Sequence, residues 1–217
     1  MPIRKIESFF SQFKILSFKA REIILRADTP PSGIFYLKKG YVKDYSISTE
    51  GEELTLIIFK PGDFFPVQWA INDKPNIHNL EALTAVELYR VPKDRFIDFL
   101  TKNPDVLFEL TRRIVTRLGG LLDRMEHLVF GNAYEKIGSI LLILAERFGE
   151  KNNNHFTIPL ILTHKDIAAL AGMTRETVSI EMKKLESNNL IAYNGRLIIV
   201  KNPDKLRRES LVERITS

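Results

Sequence analysis

Residues Leu162 to Leu190 read LTHKDIAALAGMTRETVSIEMKKLESNNL, and this stretch predicts two short helices joined by a tight turn. Thr163 and Asp166 have the spacing of a capping box, in which each side chain caps the other residue's backbone amide. We therefore expect the first helix to run from Lys165 to Ala171. Gly172 follows and permits a sharp turn, because glycine adopts left-handed backbone angles without steric cost.

Thr174 can cap the second helix, which has one apolar and one polar face. The apolar face, which we expect to be buried, holds Val178, Met182 and Leu185. Small residues at Ala168 and Gly172 suit the steep helix crossing of a helix-turn-helix. In that motif the second helix meets base edges of duplex DNA, where Arg175 suits guanine and Glu176 suits the amino group of cytosine. The alternative is an ordinary solvated helix pair.

A predicted hairpin follows directly, because Leu190 to Val200 reads LIAYNGRLIIV, two apolar runs around Asn194-Gly195. A hairpin in this position makes the motif a winged helix. Arg196 lies beside the hairpin tip, where it suits a DNA phosphate, although solubility alone also favours a charge there.

Composition narrows the possible functions only in part. The chain has 217 residues, of which 44% are hydrophobic, and this length favours two domains. Its formal charge of +5 is compatible with an acidic partner but does not identify one. Because the chain has no cysteine, disulfides, thiolate zinc sites, iron-sulfur clusters and thiol redox sensing are excluded. No apolar run approaches the ~18 residues of a membrane span, and MPIRKIESFF lacks a signal core, so we expect a cytoplasmic protein with no membrane partner.

The first half of the chain predicts an antiparallel roll. Residues Ile3 to Phe18 have helical apolar spacing, whereas Ala20 to Leu88 contains short strands separated by turns. Near the second half, Gly149 to His155 is predicted as a polar loop and residues 158 to 160 as a short strand. The expected fold class is α+β, with an N-terminal β-roll or jelly-roll sensor domain, a long dimerisation helix and a C-terminal winged helix-turn-helix.

A long helix is predicted after Pro104, with apolar residues three and four positions apart over about six turns. Such a stripe favours a second copy of the same helix across a two-fold axis. We expect a homodimer whose contact face includes Leu110, Ile114, Leu118, Leu121, Met125 and Leu128. Gly131 ends this helix and Asn132 caps the next, Ala133 to Phe148. The expected domains are residues 1–103, the helix and hinge at 104–131, and the DNA-binding domain at 132–217.

This order of parts resembles the CRP/FNR family of bacterial transcription regulators, most specifically in LTHKDIAALAGMTRETVS. The resemblance implies a dimer that binds double-stranded DNA at an inverted-repeat promoter site and acts on transcription, with RNA polymerase as a further partner. It also implies that the roll senses an effector. A regulator without an effector, whose DNA binding is constitutive, is the alternative.

The resemblance assigns the DNA contacts residue by residue. Arg175 and Glu176 match the family's base-reading positions, and Ser179 matches a third. Ile180 stands where the family commonly has arginine, so we expect it to read a base pair through a thymine methyl group rather than guanine. The expected phosphate contacts are Thr163, His164, Lys165, Thr174, Thr177, Lys183 and Arg196.

The sensing half departs from the family's cyclic-AMP-binding members. Those members carry a Gly-Glu phosphate cassette and an arginine, and GDFFPVQWAINDKPNIHNLEAL contains neither. Leu121 and Leu122 replace their hydroxyl residues, so the expected effector is a small molecule other than cyclic AMP. A haem ligand is lacking near Phe65 to Gln68, and we expect no cofactor. An effector pocket formed by Phe64, Phe65, Trp69, Leu121 and Leu122 is one hypothesis, and simple core filling by the aromatic residues is the other.

An enzyme is the remote alternative, because cupin-like strand rolls also house metal-dependent isomerases and oxygenases. Such sites need several histidines and a carboxylate that converge on one metal. The four histidines of this chain are dispersed and form no His-X-His pair: His78, His127, His155 and His164. We therefore expect neither a metal site nor catalytic residues.

Overall fold

The computed structural model describes residues 2–210, apart from the side chains of His127 and Leu128. The chain divides into two compact units, Met1–Arg117 and Leu118–Ser217. The boundary falls within the long helix α4, Pro104–Phe130, which contributes its first half to one unit and its second half to the other. No helix in the described part of the chain is both long and apolar enough to cross a membrane.

The described part of the first unit holds eight strands and three helices ahead of α4. In chain order they are α1 Pro2–Phe10, β1 Ile15–Phe18, β2 Ile23–Leu25, β3 Ile34–Lys39, β4 Val42–Ile47, β5 Glu53–Phe59, β6 Phe64–Phe65, α2 Val67–Asn72, β7 Asn79–Ala82, β8 Val86–Val91 and α3 Lys93–Lys102. The strands form two four-stranded antiparallel sheets, ordered β1-β8-β3-β6 and β2-β7-β4-β5. The predicted antiparallel roll is therefore confirmed.

Strand alternation divides the apolar residues of the roll between two cores. Phe35 and Leu37 belong to a core shared by strands of both sheets, whereas Ile34 and Tyr36 belong to a second core with α1, α3 and the start of α4. Successive side chains of a strand point to opposite faces, so β3 is covered on both sides. This double coverage explains why its first four residues are all buried.

Two predictions for this unit are wrong. The N-terminal helix ends at Phe10, not at Phe18, because Ile15 to Phe18 pair with β8 as an antiparallel strand. Leu110 does not belong to the exposed face of α4, since it is only 3% exposed and packs in the core with Phe10 and Phe96. A side chain buried within its own chain has no surface left for a partner helix.

The second unit contains the predicted winged helix-turn-helix. In chain order its elements after α4 are α5 Ala133–Phe148, β9 Glu150–Asn152, β10 His155–Ile158, α6 His164–Ala171, α7 Arg175–Ser187, β11 Ile191–Asn194, β12 Leu197–Val200 and α8 Pro203–Glu209. The strands form one sheet in the order β11-β12-β10-β9. The α5 bounds match the prediction, and Asn132 and Glu135 form its capping box.

The predicted loop at Gly149 to His155 is instead a hairpin. Lys151 pairs with Phe156, and Asn153 takes a left-handed backbone conformation at the turn. The neighbouring strand ends at Ile158, so the strand predicted for residues 158–160 begins and ends earlier. Pairing of β10 with β12 joins this hairpin to the sheet, a long-range contact that the polar local sequence did not indicate.

Candidate nucleic-acid interface

The first helix of the motif is capped as predicted. The Oδ2 atom of Asp166 accepts hydrogen bonds from the backbone N and from Oγ1 of Thr163, at 2.8 and 2.7 Å. In return, Thr163 Oγ1 accepts from the backbone N of Asp166 at 3.2 Å. The helix itself begins at His164, one residue earlier than expected.

This cap limits what Thr163 can offer a phosphate. A threonine hydroxyl has one proton to donate, and here it is donated to Asp166. The backbone N–H of Thr163 is also donated to Asp166. A phosphate contact by Thr163 therefore has to replace part of the cap, whereas the exposed Lys165 can meet a phosphate without such competition.

The turn between the two helices is formed by Gly172, which has a left-handed φ of 61°. The backbone N–H groups of Gly172 and Met173 both donate to the carbonyl oxygen of Ala168. Thr174 then caps α7 by accepting from the backbone N of Thr177 at 3.2 Å. The predicted order of cap, helix, left-handed turn and second cap is confirmed.

α7 buries one face and exposes the other, as its residue pattern predicts. Val178, Met182 and Leu185 are buried, together with Glu181, whose carboxylate accepts from Lys184 Nζ at 2.7 Å. On the opposite side, Glu176, Ile180 and Lys183 form an exposed row, because residues three and four positions apart share a helix face. Exposed Arg175 and half-buried Ser179 form the neighbouring row.

All four expected base-reading residues therefore lie on the side of α7 that faces away from the core. Ile180 is the unusual member, because 55% of this large aliphatic residue is exposed on an otherwise polar face. A positive side chain and a carboxylate at the start of the helix, followed by an aliphatic one, match the three kinds of group that the major groove offers: acceptors, amino donors and the thymine methyl.

The predicted wing is present, with a small shift of its turn. Asn194 pairs with Leu197, so Gly195 and Arg196 are the two residues of the loop, and Arg196 is at the tip rather than beside it. Gly195 has a φ of 59°, which the first loop position of a type II′ hairpin turn requires. Arg196 is exposed at this tip, where a DNA backbone can approach it.

The sequence did not indicate the side chains that hold α7 in place. Tyr134 of α5 donates to Glu209 of α8 at 2.8 Å and accepts from Asn188, just after α7, at 3.1 Å. Leu206 of α8 is buried, and a Cβ atom at Gly138 of α5 would lie only 3.3 Å from its Cδ1. The two hydrogen bonds join residues 54 and 75 positions apart, a separation that local patterns do not register.

The side chain of Arg124 was also missed. Its Nη2 atom donates to the backbone carbonyl of Leu170, in the last turn of α6. Both residues belong to the second unit, so the second half of α4 and the helix-turn-helix are connected there. Nothing in the local sequence distinguishes Arg124 from the other arginines of this amphipathic helix, so such a contact could not be predicted.

The aromatic residues expected near an effector are placed in the cores of the first unit. Phe64 packs in the core with α1 and α3, and Phe65 packs in the core between the sheets, 4.7 Å from Phe59 between ring centroids. Trp69 packs against the core that contains Phe64, and Lys93 Nζ lies 5.3 Å from the centroid of the Trp69 ring. Since Phe64 and Phe65 face different cores, this arrangement favours the core-filling alternative for these two residues.

Across residues 2–210, the described side chains contain no group of three His, Asp or Glu residues suited to a metal ion. His78 instead contacts Asp44, with Nδ1 3.1 Å from Oδ1. Burial raises the pKa of Asp44 to about 6, while the charge of His78 and its hydrogen bond act in the opposite direction.

Two family models match the chain. Residues 15–103 match the cyclic nucleotide-binding domain, and residues 135–209 match the Crp-like helix-turn-helix domain. The first match covers most of the roll, and the second extends from α5 to the end of α8.

Curated relatives align over nearly the whole chain. The cAMP-activated global transcriptional regulator CRP of Pasteurella multocida is 25% identical over 197 residues, which are 90% of this chain and 93% of that protein. The global nitrogen regulator of Nostoc is 28% identical over 195 residues, which are 89% of this chain and 87% of that protein.

Solved structures share the fold. A CRP/FNR-family transcriptional regulator from Thermus thermophilus has a TM-score of 0.72 and 26% identity, with 90% of this chain and 97% of that chain covered. A mutant of CooA from Carboxydothermus hydrogenoformans has a TM-score of 0.77 at 22% identity, with 93% and 89% covered.

Proposed function

This chain belongs to the CRP/FNR family of transcription regulators, and we propose that it acts as a homodimer that reads an inverted-repeat DNA site. Its relatives and structural neighbours are regulators, which removes the metal-enzyme alternative. The proposal depends on the outward face of α7. Its N-terminal half follows the Gly172 turn and the Thr174 cap, and it carries the four expected base-reading residues Arg175, Glu176, Ser179 and Ile180.

In the proposed complex, α7 lies in the major groove and the wing tip contacts the backbone. Arg175 donates to a guanine, Glu176 accepts from a cytosine amino group, and Ile180 contacts a thymine methyl. Lys165, Lys183 and Arg196 neutralise phosphates, and His164 contacts one, which adds affinity but no sequence preference. The Thr174 and Thr177 hydroxyls contribute in the same way, whereas Thr163 serves mainly as a cap.

The exposed apolar residues of α4 support the homodimer. After Leu110 is assigned to the core, four of the expected contact residues are still exposed: Ile114, Leu118, Leu121 and Met125. The sixth, Leu128, lies outside the described side chains. An apolar stripe along a helix of 27 residues is costly to leave in water and has the spacing of a helix pair. A two-fold axis along this helix presents two copies of α7 to two half-sites.

We further propose that an effector other than cyclic AMP, bound through the first unit, gates this activity. Some relatives are named as cAMP-activated, yet this chain lacks the Gly-Glu pair and the arginine of a cyclic phosphate site after Gly62-Asp63. Trp69 is the proposed pocket residue of the first unit that is only partly buried against a core. We also propose RNA polymerase as a partner of the DNA-bound dimer.

Selection of binding sites from random duplex DNA tests the main proposal. The enriched sequences should contain two inverted half-sites about one helical turn apart, and fluorescence anisotropy should show at least about 10³-fold preference for them over unrelated DNA. Affinity that falls evenly with salt and shows no preferred sequence would contradict the proposal.

The effector is tested separately on the selected site. Affinity is measured with the protein alone, with cyclic AMP, and with the small-molecule fraction of a cell extract. A change with the extract but not with cyclic AMP supports gating, and a change with cyclic AMP contradicts our assignment. Equal affinity in all three conditions supports the constitutive alternative, since a ligand shifts an equilibrium only by its differential affinity for the two states.

A further inference from the structure

One charged side chain of α4 is turned toward the DNA-reading motif. Arg124 is half-buried, although its neighbours Asp123 and Met125 are exposed. Burial lowers the pKa of its guanidinium to about 10, so the group is still charged at neutral pH but has lost much of its hydration. A cation is held in such a place only where a specific partner compensates for the lost water.

One such partner is the backbone carbonyl of Leu170, which accepts from Arg124 Nη2. Leu170 is the second-last residue of α6, and the last four carbonyls of a helix have no acceptor role within it. The amides of Gly172 and Met173 do not bond to Leu170, because both donate to Ala168. Arg124 therefore caps a carbonyl left over by the turn, at the negative end of the helix dipole.

This contact lies directly ahead of the turn that aims α7. From Leu170, only three residues lead to the Thr174 cap of the reading helix. The other end of the contact is on α4, the helix that carries the exposed apolar stripe. A planar guanidinium has its N–H groups in a fixed geometry, so its hydrogen bond restricts both the distance and the orientation of α6 relative to α4. A nonpolar contact would restrict them less.

We propose that Arg124 is a positioning residue that fixes the helix-turn-helix on α4 and thereby sets the spacing between the two half-sites that the dimer accepts. The inference rests on the proposed function, since spacing has a meaning only for a dimer on an inverted repeat. Arg124 makes no contact with DNA in this scheme. It determines where the two reading helices stand, while Arg175, Glu176, Ser179 and Ile180 determine which bases they read.

The test compares the full-length wild type with Arg124→Met, which keeps a long side chain but loses the charge and the donors. Affinity is measured on the selected inverted repeat, on the same repeat with one or two base pairs added to or removed from its centre, and on a single half-site. Each base pair rotates one half-site relative to the other by about a tenth of a turn, so a rigid dimer is sensitive to every step.

For the wild type, we expect a loss of at least roughly tenfold when the spacing changes by one base pair, or about 1.4 kcal/mol. Arg124→Met should bind the selected repeat less tightly and lose less than about threefold for the same spacing changes. Its half-site affinity and its base preferences should equal those of the wild type. Arg124→Lys keeps the charge and N–H donors but loses the planar guanidinium, and should recover part of the spacing preference.

Two controls separate positioning from a general structural role. Arg112→Met removes an exposed arginine of the same helix, whose partner Glu109 lies one turn away, and should leave the spacing profile unchanged. A merely structural role of Arg124 would lower half-site and full-site affinity by the same factor and keep the wild-type spacing profile. That result would overturn the inference, whereas a wild type without any preferred site would instead overturn the proposed function.

Discussion

The Oγ1 atoms of Thr174 and Thr177 lie 3.0 Å apart across the first turn of α7, and either of them can donate to the other. Thr174 Oγ1 also accepts from the backbone N of Thr177. Each hydroxyl has one proton, so whichever threonine donates within the pair, the other keeps its proton for an outside acceptor. The pair therefore always has one donor at the helix N-terminus, where phosphates are favoured.

Replacing Thr177 by valine should weaken DNA binding without changing the preferred sequence. Valine has the same shape and branching, so α7 should stay capped by Thr174, while a phosphate can then be contacted only from the Thr174 hydroxyl and no longer from position 177. We expect affinity to fall by about 0.5 to 1.5 kcal/mol on every sequence tested. Fluorescence anisotropy on the selected site and on unrelated DNA measures this. Thr101→Val on α3, where the hydroxyl bonds Ile97, is the control.

Arg175 and Arg196 should differ in the kind of binding that they support. Arg175→Ala should cost ~1 to 3 kcal/mol on the selected site and relax the preference at one base pair of each half-site. Arg196→Ala should weaken all sequences alike and reduce the slope of log K against log salt by about 1 for each phosphate that is no longer neutralised. Anisotropy titrations at several salt concentrations distinguish the two. A sequence-dependent effect of Arg196→Ala would argue against its place on the backbone.

Ile180 should make the protein sensitive to one thymine methyl group. Each dT of a half-site is replaced in turn by dU, which lacks only this methyl. At one position we expect a loss of about 0.8 kcal/mol per half-site, the value of one buried methylene group. Ile180→Ala should bind the dT and dU duplexes equally at that position. If no position responds in the wild type, Ile180 does not read a methyl group.

The α4 face is tested by placing a charge on it. Leu118 is 54% exposed and lies on the proposed contact face, and Ile47 of β4 is equally exposed at 54% in the roll. Leu118→Glu should convert the dimer to a monomer at micromolar concentration, because two buried carboxylates would face each other across the axis. Ile47→Glu should stay dimeric. Sedimentation velocity gives both masses, and a dimeric Leu118→Glu variant would place the interface elsewhere.

Asp44 should make the stability of the first unit depend on pH. Burial raises its pKa to about 6 from an ordinary value of 3.8, despite the opposing contact with His78. Between these two pKa values, the Asp44 carboxyl is protonated in the folded chain and ionised in the unfolded chain. The free energy of unfolding therefore falls as pH rises from about 4 to about 6. Above about pH 6 the whole destabilisation by the buried carboxylate is present. Since one pKa unit corresponds to about 1.36 kcal/mol, this destabilisation is at most about 3 kcal/mol.

Asp44→Asn removes this cost, so it should raise the free energy of unfolding at pH 7 by about 1 to 3 kcal/mol and change it little at pH 4. Denaturant unfolding between pH 4 and pH 8 measures the difference. Asp98→Asn, at an exposed pair with Lys102, is the control and should show no such dependence. A constant difference across the pH range would mean that Asp44 titrates normally in the folded chain.

Several elements of the second half of the chain could be predicted from the sequence because short-range interactions define them. The capping residues Asn132 and Thr174 act on amides three positions away, so the signal and its effect lie in the same short window. For this reason the predicted bounds of α5 and the predicted start of α7 agree with the structure. The Gly172 turn and the Gly195 hairpin were readable for the same reason, since both depend on a positive φ at one residue.

Where the signal was not local, sequence reasoning failed. Leu110 has the same apolar spacing as Leu118, yet one is buried in the first unit and the other is exposed. The polar residues 149–155 belong to a hairpin whose second strand, β10, also pairs with β12, some 40 residues further along the chain, as when Phe156 meets Val200. Arg124 is one of many arginines, and its bond to the Leu170 carbonyl exists because α6 approaches α4 in the fold.

The sequence by itself determined the kinds of elements, the helix caps, the polar face of α7 and the family, because each of these depends on residues within one or two helical turns. The tertiary structure alone decided which apolar residues of α4 are buried and which arginine holds the reading helix in place. Those outcomes depend on groups brought together from distant parts of the chain, where burial and hydrogen-bond saturation, and not spacing, set the energy of each side chain.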